Sequence, residues 1–236
     1  MLYVLWSAKG GVGTTVTAAM LASALASPPG ALLVDLAGDL ARAVGAPEPT
    51  TGVAELLATL GSDATDGACA PGGAQDLIHR AEVEVSTDGG SLGLLGRGAA
   101  ASLDRRGVDR LAELLAADPR PVVVDAGTLG RTSSPEGREE VAGRLLRCAE
   151  QRLLVTRACY LGLRAASTAL GSWPADGCIL LTEKDRALTA TDVASVLGVP
   201  VVAEVPVVSR VARSVDAGLL LRRRDAASVR ALAGAT

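Results

Sequence analysis

The feature that most restricts the fold is a glycine-rich loop between a short apolar run and an alanine-rich segment. The loop reads Lys-Gly-Gly-Val-Gly-Thr-Thr over residues 9–15 and follows the apolar run at 3–7. Glycines let the backbone turn tightly and point successive N–H groups inward, and a following helix adds partial positive charge at its N-terminus. This order therefore predicts a phosphate site, with Thr15 where such loops place a Mg²⁺-ligating hydroxyl.

Short β-branched runs alternate with longer segments of helical period along the chain. This alternation is typical of βαβ units and predicts an α/β fold: a doubly wound, mostly parallel sheet of about seven strands flanked by helices. The predicted strands are residues 3–7, 31–35, 91–95, 121–125, 152–156, 178–182 and 201–205. The predicted helices are residues 15–26, 53–60, 106–117, 138–150, 161–170 and 191–197. Segment 61–98 is predicted to hold a short helix near residues 76–80 and a surface loop.

Composition narrows the class of protein. No segment reads as a linker, so we expect residues 1–236 to form one domain. A hydrophobic content of 49% argues against disorder, and a net charge of -3 argues against strong attraction of the whole chain to nucleic acid. No apolar run reaches the roughly 18 residues of a spanning helix, and no signal peptide precedes the loop. We therefore expect a cytoplasmic protein.

The rarity of some residue types excludes several chemistries. The four cysteines, including Cys69, are far apart and His79 is the only histidine, which argues against zinc sites, disulfides and Ser-His-Asp catalysis. Aromatic residues make up 2% of the chain, so stacking of nucleic-acid bases is nearly excluded. The only lysines are Lys9 and Lys184. A lysine inside the glycine-rich loop of such a chain favours a functional role.

Two aspartates end predicted strands near the loop. Asp35 and Asp125 each follow an apolar run, and the carboxyl ends of parallel strands meet at one edge of a sheet. Asp125 is placed to hold Mg²⁺, although an aspartate at this position also fits a turn or a helix N-cap. Four charged residues follow Asp125 at some distance and fit either a partner contact or a solvated helix face: Arg131, Arg138, Glu139 and Glu140.

The pattern Lys-Gly-Gly-x-Gly-x-Thr after an N-terminal strand resembles the deviant Walker A motif of the ParA/MinD ATPases. The likeness continues in order through segment 31–35 (switch I strand), segment 122–127 (Walker B and switch II), segment 153–156, and the landmarks Pro206 and Gly218. The resemblance implies a P-loop fold that binds ATP and Mg²⁺ in a face-to-face homodimer, with Lys9 reaching the partner's nucleotide. It implies that Lys9, Asp35 and Asp39 are catalytic, and that Thr15 and Asp125 hold the metal. The cofactor-binding residues it implies are Lys9, Gly10, Gly11, Val12, Gly13, Thr14, Thr15 and Pro206.

Three positions depart from that pattern. Thr14 stands where the phosphate-neutralising lysine is expected, and Ala37 replaces the second switch I aspartate, so hydrolysis is slow unless Asp39 substitutes. Thr182 and Glu183 stand where relatives carry an adenine-binding asparagine. These losses predict a weak ATPase or a pseudo-ATPase.

The form Gly-Gly-Val-Gly-Thr-Thr is similar to the CpaE/TadZ branch, whose members localise Tad/Flp pilus assembly. That similarity implies a spatial organiser recruited by a protein partner to a cell pole or membrane site. Septum placement and DNA partitioning are alternatives within the superfamily, and a non-hydrolysing scaffold is an alternative of another class. The basic C-terminal region leaves DNA binding open and makes a membrane anchor less favoured than docking on the sheet: Arg210, Arg213, Arg222, Arg223, Arg224 and Arg230.

Overall fold

A computed structural model describes residues 1–62, 75–87, 90–130 and 137–235. Eight strands in these ranges form one sheet, in the order β3-β4-β2-β5-β1-β6-β7-β8. All neighbouring strands run parallel except the antiparallel pair β3 and β4. The strands are β1 Leu2–Ser7, β2 Ala31–Asp35, β3 Val83–Thr87, β4 Gly90–Leu95, β5 Val122–Thr128, β6 Gln151–Arg157, β7 Gly177–Thr182 and β8 Val201–Pro206.

Helices cover both faces of this sheet. Within the described ranges they are α1 Thr14–Leu25, α2 Leu40–Val44, α3 Val53–Leu60, α4 Gln75–Ala81, α5 Val108–Ala117, α6 Arg138–Cys148, α7 Tyr160–Ala169, α8 Ala190–Leu197, α9 Ser209–Asp216 and α10 Ala226–Ala233. A 3-10 turn at Arg105–Gly107 precedes α5. None of the helices that the structure describes is long and apolar enough to cross a membrane.

The alternation of side chains along β1 explains how two cores form. Leu2, Val4 and Trp6 pack on the face covered by α3 to α8, whereas Tyr3 and Leu5 pack on the face covered by α1, α2 and α10. Successive residues of a strand point to opposite faces, so an entirely apolar strand is stable only between two helical layers. All six residues of β1 are buried, as expected for a strand that lies between β5 and β6 in the interior of the sheet.

The fold class predicted from the sequence is confirmed, with eight strands instead of about seven in the described residues. The additional strand, β3, lies in the segment that was expected to be a surface loop, while the short helix expected there is α4. The prediction also omitted α2, α9 and α10. The helix predicted to end at residue 150 stops at Cys148, because the backbone becomes extended at Ala149 and β6 begins at Gln151. Cys69 and Arg131 lie outside the described residues.

Candidate functional site

The glycine-rich loop connects β1 to α1 at the carboxyl end of the sheet, between the neighbouring strands β5 and β6. Gly13 is the N-cap of α1 with φ 109°, a left-handed conformation that favours glycine, and an added Cβ would lie 2.9 Å from Leu181 Cδ1. The first turn of α1 contains no acidic residue, and no side chain caps its backbone N–H groups. Those N–H groups are therefore available to an anion at the start of the helix.

Asp125 lies on β5 beside this loop and is completely buried. Its Oδ1 accepts a hydrogen bond from the Gly127 backbone N–H at 2.9 Å, while its buried Oδ2 has no hydrogen-bond partner. Burial raises the pKa of the Asp125 carboxyl to about 7, the charge of Asp35 adds to the rise, and the Thr15 hydroxyl opposes it. An unsatisfied buried carboxylate oxygen is costly in free energy, and a bound cation would satisfy it.

Asp35, at the end of β2, uses both carboxylate oxygens to shape the next turn. Oδ1 accepts from the Gly38 N–H at 2.6 Å and Oδ2 accepts from the Leu40 N–H at 2.9 Å. Burial raises the pKa of Asp35, and these backbone hydrogen bonds oppose the rise. Its observed contacts position the segment that carries Ala37 and Asp39, and the catalytic role that the resemblance implies for Asp35 stays a prediction.

A cavity of about 350 Å³ opens over the loop and brings most of the expected phosphate-binding and metal-binding residues together. Asp39 is exposed at its rim, and its side chain does not cap α2. The cavity is lined by Ser7, Gly10, Gly11, Gly13, Thr14, Thr15, Ala37, Asp39, Gly127, Thr128 and Arg138. The unsatisfied Asp125 Oδ2 and the nearby Thr15 hydroxyl fit a divalent cation, because Mg²⁺ prefers oxygen ligands and binds through few carboxylates together with phosphate and water.

A second cavity, of about 250 Å³, lies on the other side of the loop. Val12, Gly13 and Pro206 contribute to its mostly apolar wall. Pro206 ends β8 and is the register partner of Thr182 on β7, so both positions expected near the nucleotide base lie side by side. Apart from Lys9, the expected cofactor residues are therefore divided between two cavities that share Gly13.

Lys9 stands apart from both cavities. It is exposed on the loop and belongs to neither lining. Its expected contact with a nucleotide in a partner subunit stays a prediction, and an exposed position is compatible with it.

Sequence reasoning missed Arg157, at the end of β6. Its guanidinium donates to the Val12 carbonyl at 3.2 Å and to the Gly11 carbonyl at 3.3 Å, and it pairs with Glu183 at 2.7 Å. Glu183 also accepts from Arg186. Arg157 therefore fixes the outer side of the glycine-rich loop, and Glu183 occupies the expected asparagine position as its ion-pair partner. An arginine directly after a predicted strand beside the loop was the available signal.

Arg138 does not lie on a solvated helix face, which was one of the two positions expected for it, because the residue is only 7% exposed. Its guanidinium folds back onto β5 and donates to the Thr128 carbonyl at 2.6 Å and to the Ala126 carbonyl at 3.3 Å. Glu139 of the same helix accepts from the Gly130 N–H at 3.1 Å, whereas Glu140 is exposed. Only part of this charged group therefore faces solvent.

The basic C-terminal region docks on the rest of the fold. Leu220, Leu221 and Leu232 are buried in the core on the α1 side, and α10 packs against α1 and β8. Arg224 donates to Ser23, and Arg210 pairs with Asp225. The leucines before the arginine triplet are therefore occupied by the protein core, as the docked interpretation expects.

No model of a known protein family matches the chain, and no curated protein matches it. Solved structures do match its fold. MinD from Aquifex aeolicus is 19% identical with a TM-score of 0.71, covering 99% of this chain and 94% of that one. The ParA family ATPase from Chlorobium tepidum TLS is 20% identical with a TM-score of 0.68, covering 99% and 89%. The septum site-determining protein MinD complexed with Mg-ADP, from Pyrococcus horikoshii OT3, is 18% identical with a TM-score of 0.66, covering 99% and 93%. The chain thus has the mostly parallel, helix-flanked fold of the ParA and MinD P-loop ATPases.

Proposed function

We propose that this chain is a nucleotide-binding protein of the ParA/MinD kind, which binds ATP with Mg²⁺ and uses it to control a homodimer. The observation that carries the proposal is the buried, unpartnered Oδ2 of Asp125, which lies next to Thr15 at the glycine-rich loop. The Mg-ADP complex of the Pyrococcus horikoshii relative supports the same ligand class.

Each cavity has a part in this proposal. The loop N–H groups and Thr14 hold the phosphates, and Thr15 and Asp125 hold the metal ion, which when bound would neutralise charge on the phosphate oxygens. The apolar cavity with Val12 and Pro206 suits the flat, largely apolar faces of a purine. Because Gly13 borders both cavities, a nucleotide would lie across the loop with its terminal phosphate farthest from Pro206.

Slow hydrolysis is part of the proposal. Asp35 already accepts two backbone N–H groups, and Ala37 contributes only a methyl group to the phosphate cavity. The carboxylate left to orient an attacking water is Asp39, at the exposed rim. A long-lived nucleotide complex suits a protein whose output is location rather than a chemical product.

The cellular role proposed is a spatial organiser of Tad/Flp pilus assembly, in the manner of the CpaE/TadZ branch that the loop resembles. A protein partner would bring the cytoplasmic dimer to a cell pole or membrane site. The Aquifex aeolicus MinC:MinD cell division complex shows that a protein of this fold binds another protein, and it supports septum placement as an alternative role. A putative plasmid partition protein of the same fold, from Borrelia burgdorferi B31, supports DNA partitioning as the other alternative. Direct binding of DNA through exposed arginines such as Arg222 and Arg223 is a weaker part of the proposal, and membrane binding is weaker still.

A pseudo-ATPase scaffold is the second candidate. The observation in its favour is that Thr14 and Ala37, both in the phosphate cavity, lack the charged side chains that ATP turnover uses in the resembled family. A scaffold of this kind would dimerise or bind its partner without nucleotide.

Calorimetric titration of the purified protein with ATP and Mg²⁺ tests the proposal. We expect binding that chelation of Mg²⁺ weakens and that Asp125→Asn weakens in the same way. Asp109→Asn, a surface change on α5, is the matched control and should bind like the wild type. Light scattering on the same samples should show a dimer only with nucleotide. An absence of ATP binding, together with a dimer that persists without nucleotide, would contradict the proposal and favour the scaffold.

A further inference from the structure

The phosphate cavity lacks the cation that its loop is expected to supply. Thr14 is buried and lines the cavity at the position of the missing lysine, so the loop wall contributes hydroxyl and backbone groups there. The end of β5 and the start of α6 also line the cavity. Among the described residues of the lining, one carries a positive charge, and it is Arg138, at the start of α6.

The guanidinium of Arg138 is held in place by the backbone of β5. It donates to the carbonyls of Ala126 and Thr128, the residues on either side of Gly127. A Cβ added at Gly127 would lie 2.6 Å from Arg138 Nη1, and the φ of 69° at Gly127 also favours glycine. Because Gly127 has no side chain, the Arg138 guanidinium has room to lie against the end of β5.

This position is electrostatically unusual for an arginine. Burial lowers the pKa of the Arg138 guanidinium, whereas Glu139 and Asp125 favour its charged form. An anion in the same cavity would add to the groups that favour the charged form. Arginine is well suited to such an anion, because its planar fork of N–H donors matches the oxygens of a phosphate.

We propose that Arg138 contacts the terminal phosphate of the bound nucleotide and supplies the positive charge that Thr14 does not. The inference rests on the proposed nucleotide site. The apolar cavity near Pro206 takes the base, and Arg138 lies with Ala37 and Asp39 around the phosphate cavity, where the end of the phosphate chain would lie. Arg157 does not fill this role, because it does not line the phosphate cavity and its guanidinium contacts the outer side of the loop.

The test compares the affinities for ATP and ADP, measured by calorimetry with Mg²⁺, in the wild type and in Arg138→Met. We expect about 10- to 100-fold weaker ATP binding and a much smaller loss for ADP, because ADP lacks the terminal phosphate. Arg147→Met changes an exposed arginine of the same helix and is the matched control. It should keep the wild-type ratio of ATP affinity to ADP affinity, called the ATP-to-ADP ratio below. Adding Thr14→Lys to Arg138→Met should restore most of the lost ATP affinity.

The outcomes separate this inference from the proposed function. A wild type that binds neither ATP nor ADP overturns both. A wild type that binds both, together with an unchanged ATP-to-ADP ratio in Arg138→Met, overturns the role of Arg138 alone. If circular dichroism shows that Arg138→Met is unfolded, Arg138→Lys is measured instead. Arg138→Lys keeps the positive charge but loses the planar set of guanidinium N–H donors. We therefore expect a lower ratio of ATP affinity to ADP affinity than in the wild type, and an unchanged ratio overturns the inference.

Discussion

Asp35 and Asp125 are register partners on the neighbouring parallel strands β2 and β5, and both carboxyl groups are buried. They differ in how they are satisfied: Asp35 accepts from two backbone N–H groups, whereas one oxygen of Asp125 has no partner. Two buried carboxylates side by side repel each other, and the less satisfied one holds its proton more tightly. The fold therefore keeps a costly buried carboxylate in contact with Thr15, which lines the phosphate cavity, and a bound cation would stabilise it.

The first prediction concerns the stability of the protein without metal or nucleotide. The pKa of Asp125 is about 7 in the folded state against an ordinary value of 3.8, so the native state binds more protons than the unfolded state between these values. The free energy of unfolding therefore falls as pH rises through this window. Asp125→Asn keeps the acceptor for the Gly127 N–H and removes the charge. We expect it to be more stable than the wild type at pH 8, by on the order of 2–4 kcal/mol.

Urea denaturation in a chelator at pH 5 and pH 8 measures this difference. The advantage of Asp125→Asn should shrink toward pH 5, where the wild-type carboxyl is protonated in the folded state. Asp109→Asn on the surface should show no comparable gain at pH 8. A variant that is less stable than the wild type at pH 8 would contradict the burial argument.

The second prediction concerns Arg157, which holds the outer side of the glycine-rich loop through the carbonyls of Gly11 and Val12. Arg157→Gln should loosen the loop and weaken ATP binding by about 3- to 10-fold, since each lost hydrogen bond from a charged donor is worth on the order of 1 kcal/mol or more. Glu183→Gln should reduce ATP affinity less, because the hydrogen bonds from Arg157 to the two loop carbonyls remain. Hydrogen exchange of the loop amides and calorimetry measure the two effects.

Arg164→Gln, an exposed change on α7, is the control for this pair. Arg157 and Glu183 form one ion pair, so the effects of the two substitutions on ATP affinity should not be additive in the double variant. If the loop amides of Arg157→Gln exchange hydrogen at the wild-type rate, Arg157 does not position the loop.

The sequence was sufficient to predict the sheet and the position of the site. Buried parallel strands are continuous apolar runs, and the rule that their carboxyl ends meet at one edge is enough to bring Asp35, Asp125 and the loop together. The edge strand β3 was missed because Val83–Thr87 is short and only half-buried, so the hydrophobic signal that identifies inner strands is weak there.

The arginines of the site could not be placed in the same way. Arg138 begins a helix whose first residues are charged, and its burial depends on the empty space over Gly127, which is distant from the loop in sequence. Arg157 follows a strand, but which partner a long side chain reaches depends on the packing of β6 against β7 and on the position of Glu183. Local pattern identifies backbone positions better than it identifies the contacts of long charged side chains.

The third prediction concerns Thr14, whose side chain lies at the wall of the phosphate cavity. Thr14→Lys adds a cation next to the phosphates and should tighten ATP binding by about 10-fold, as expected for one charged hydrogen bond. Calorimetry with Mg²⁺ measures the change, and Thr168→Lys on the exposed side of α7 is the control. No gain, or a loss, would mean that the cavity is shaped for a different ligand.

The fourth prediction concerns Lys9, which is exposed and makes its expected contact only across a dimer. Lys9→Ala should therefore leave the melting temperature of the monomer unchanged, because no buried contact is lost, but should abolish the dimer that forms with ATP and Mg²⁺. Light scattering with and without nucleotide measures the dimer. Lys184→Ala is a close control, because it removes the only other lysine of the chain, which is also exposed. Dimerisation that survives in Lys9→Ala would show that the subunits associate through another surface, and it would favour the nucleotide-independent scaffold.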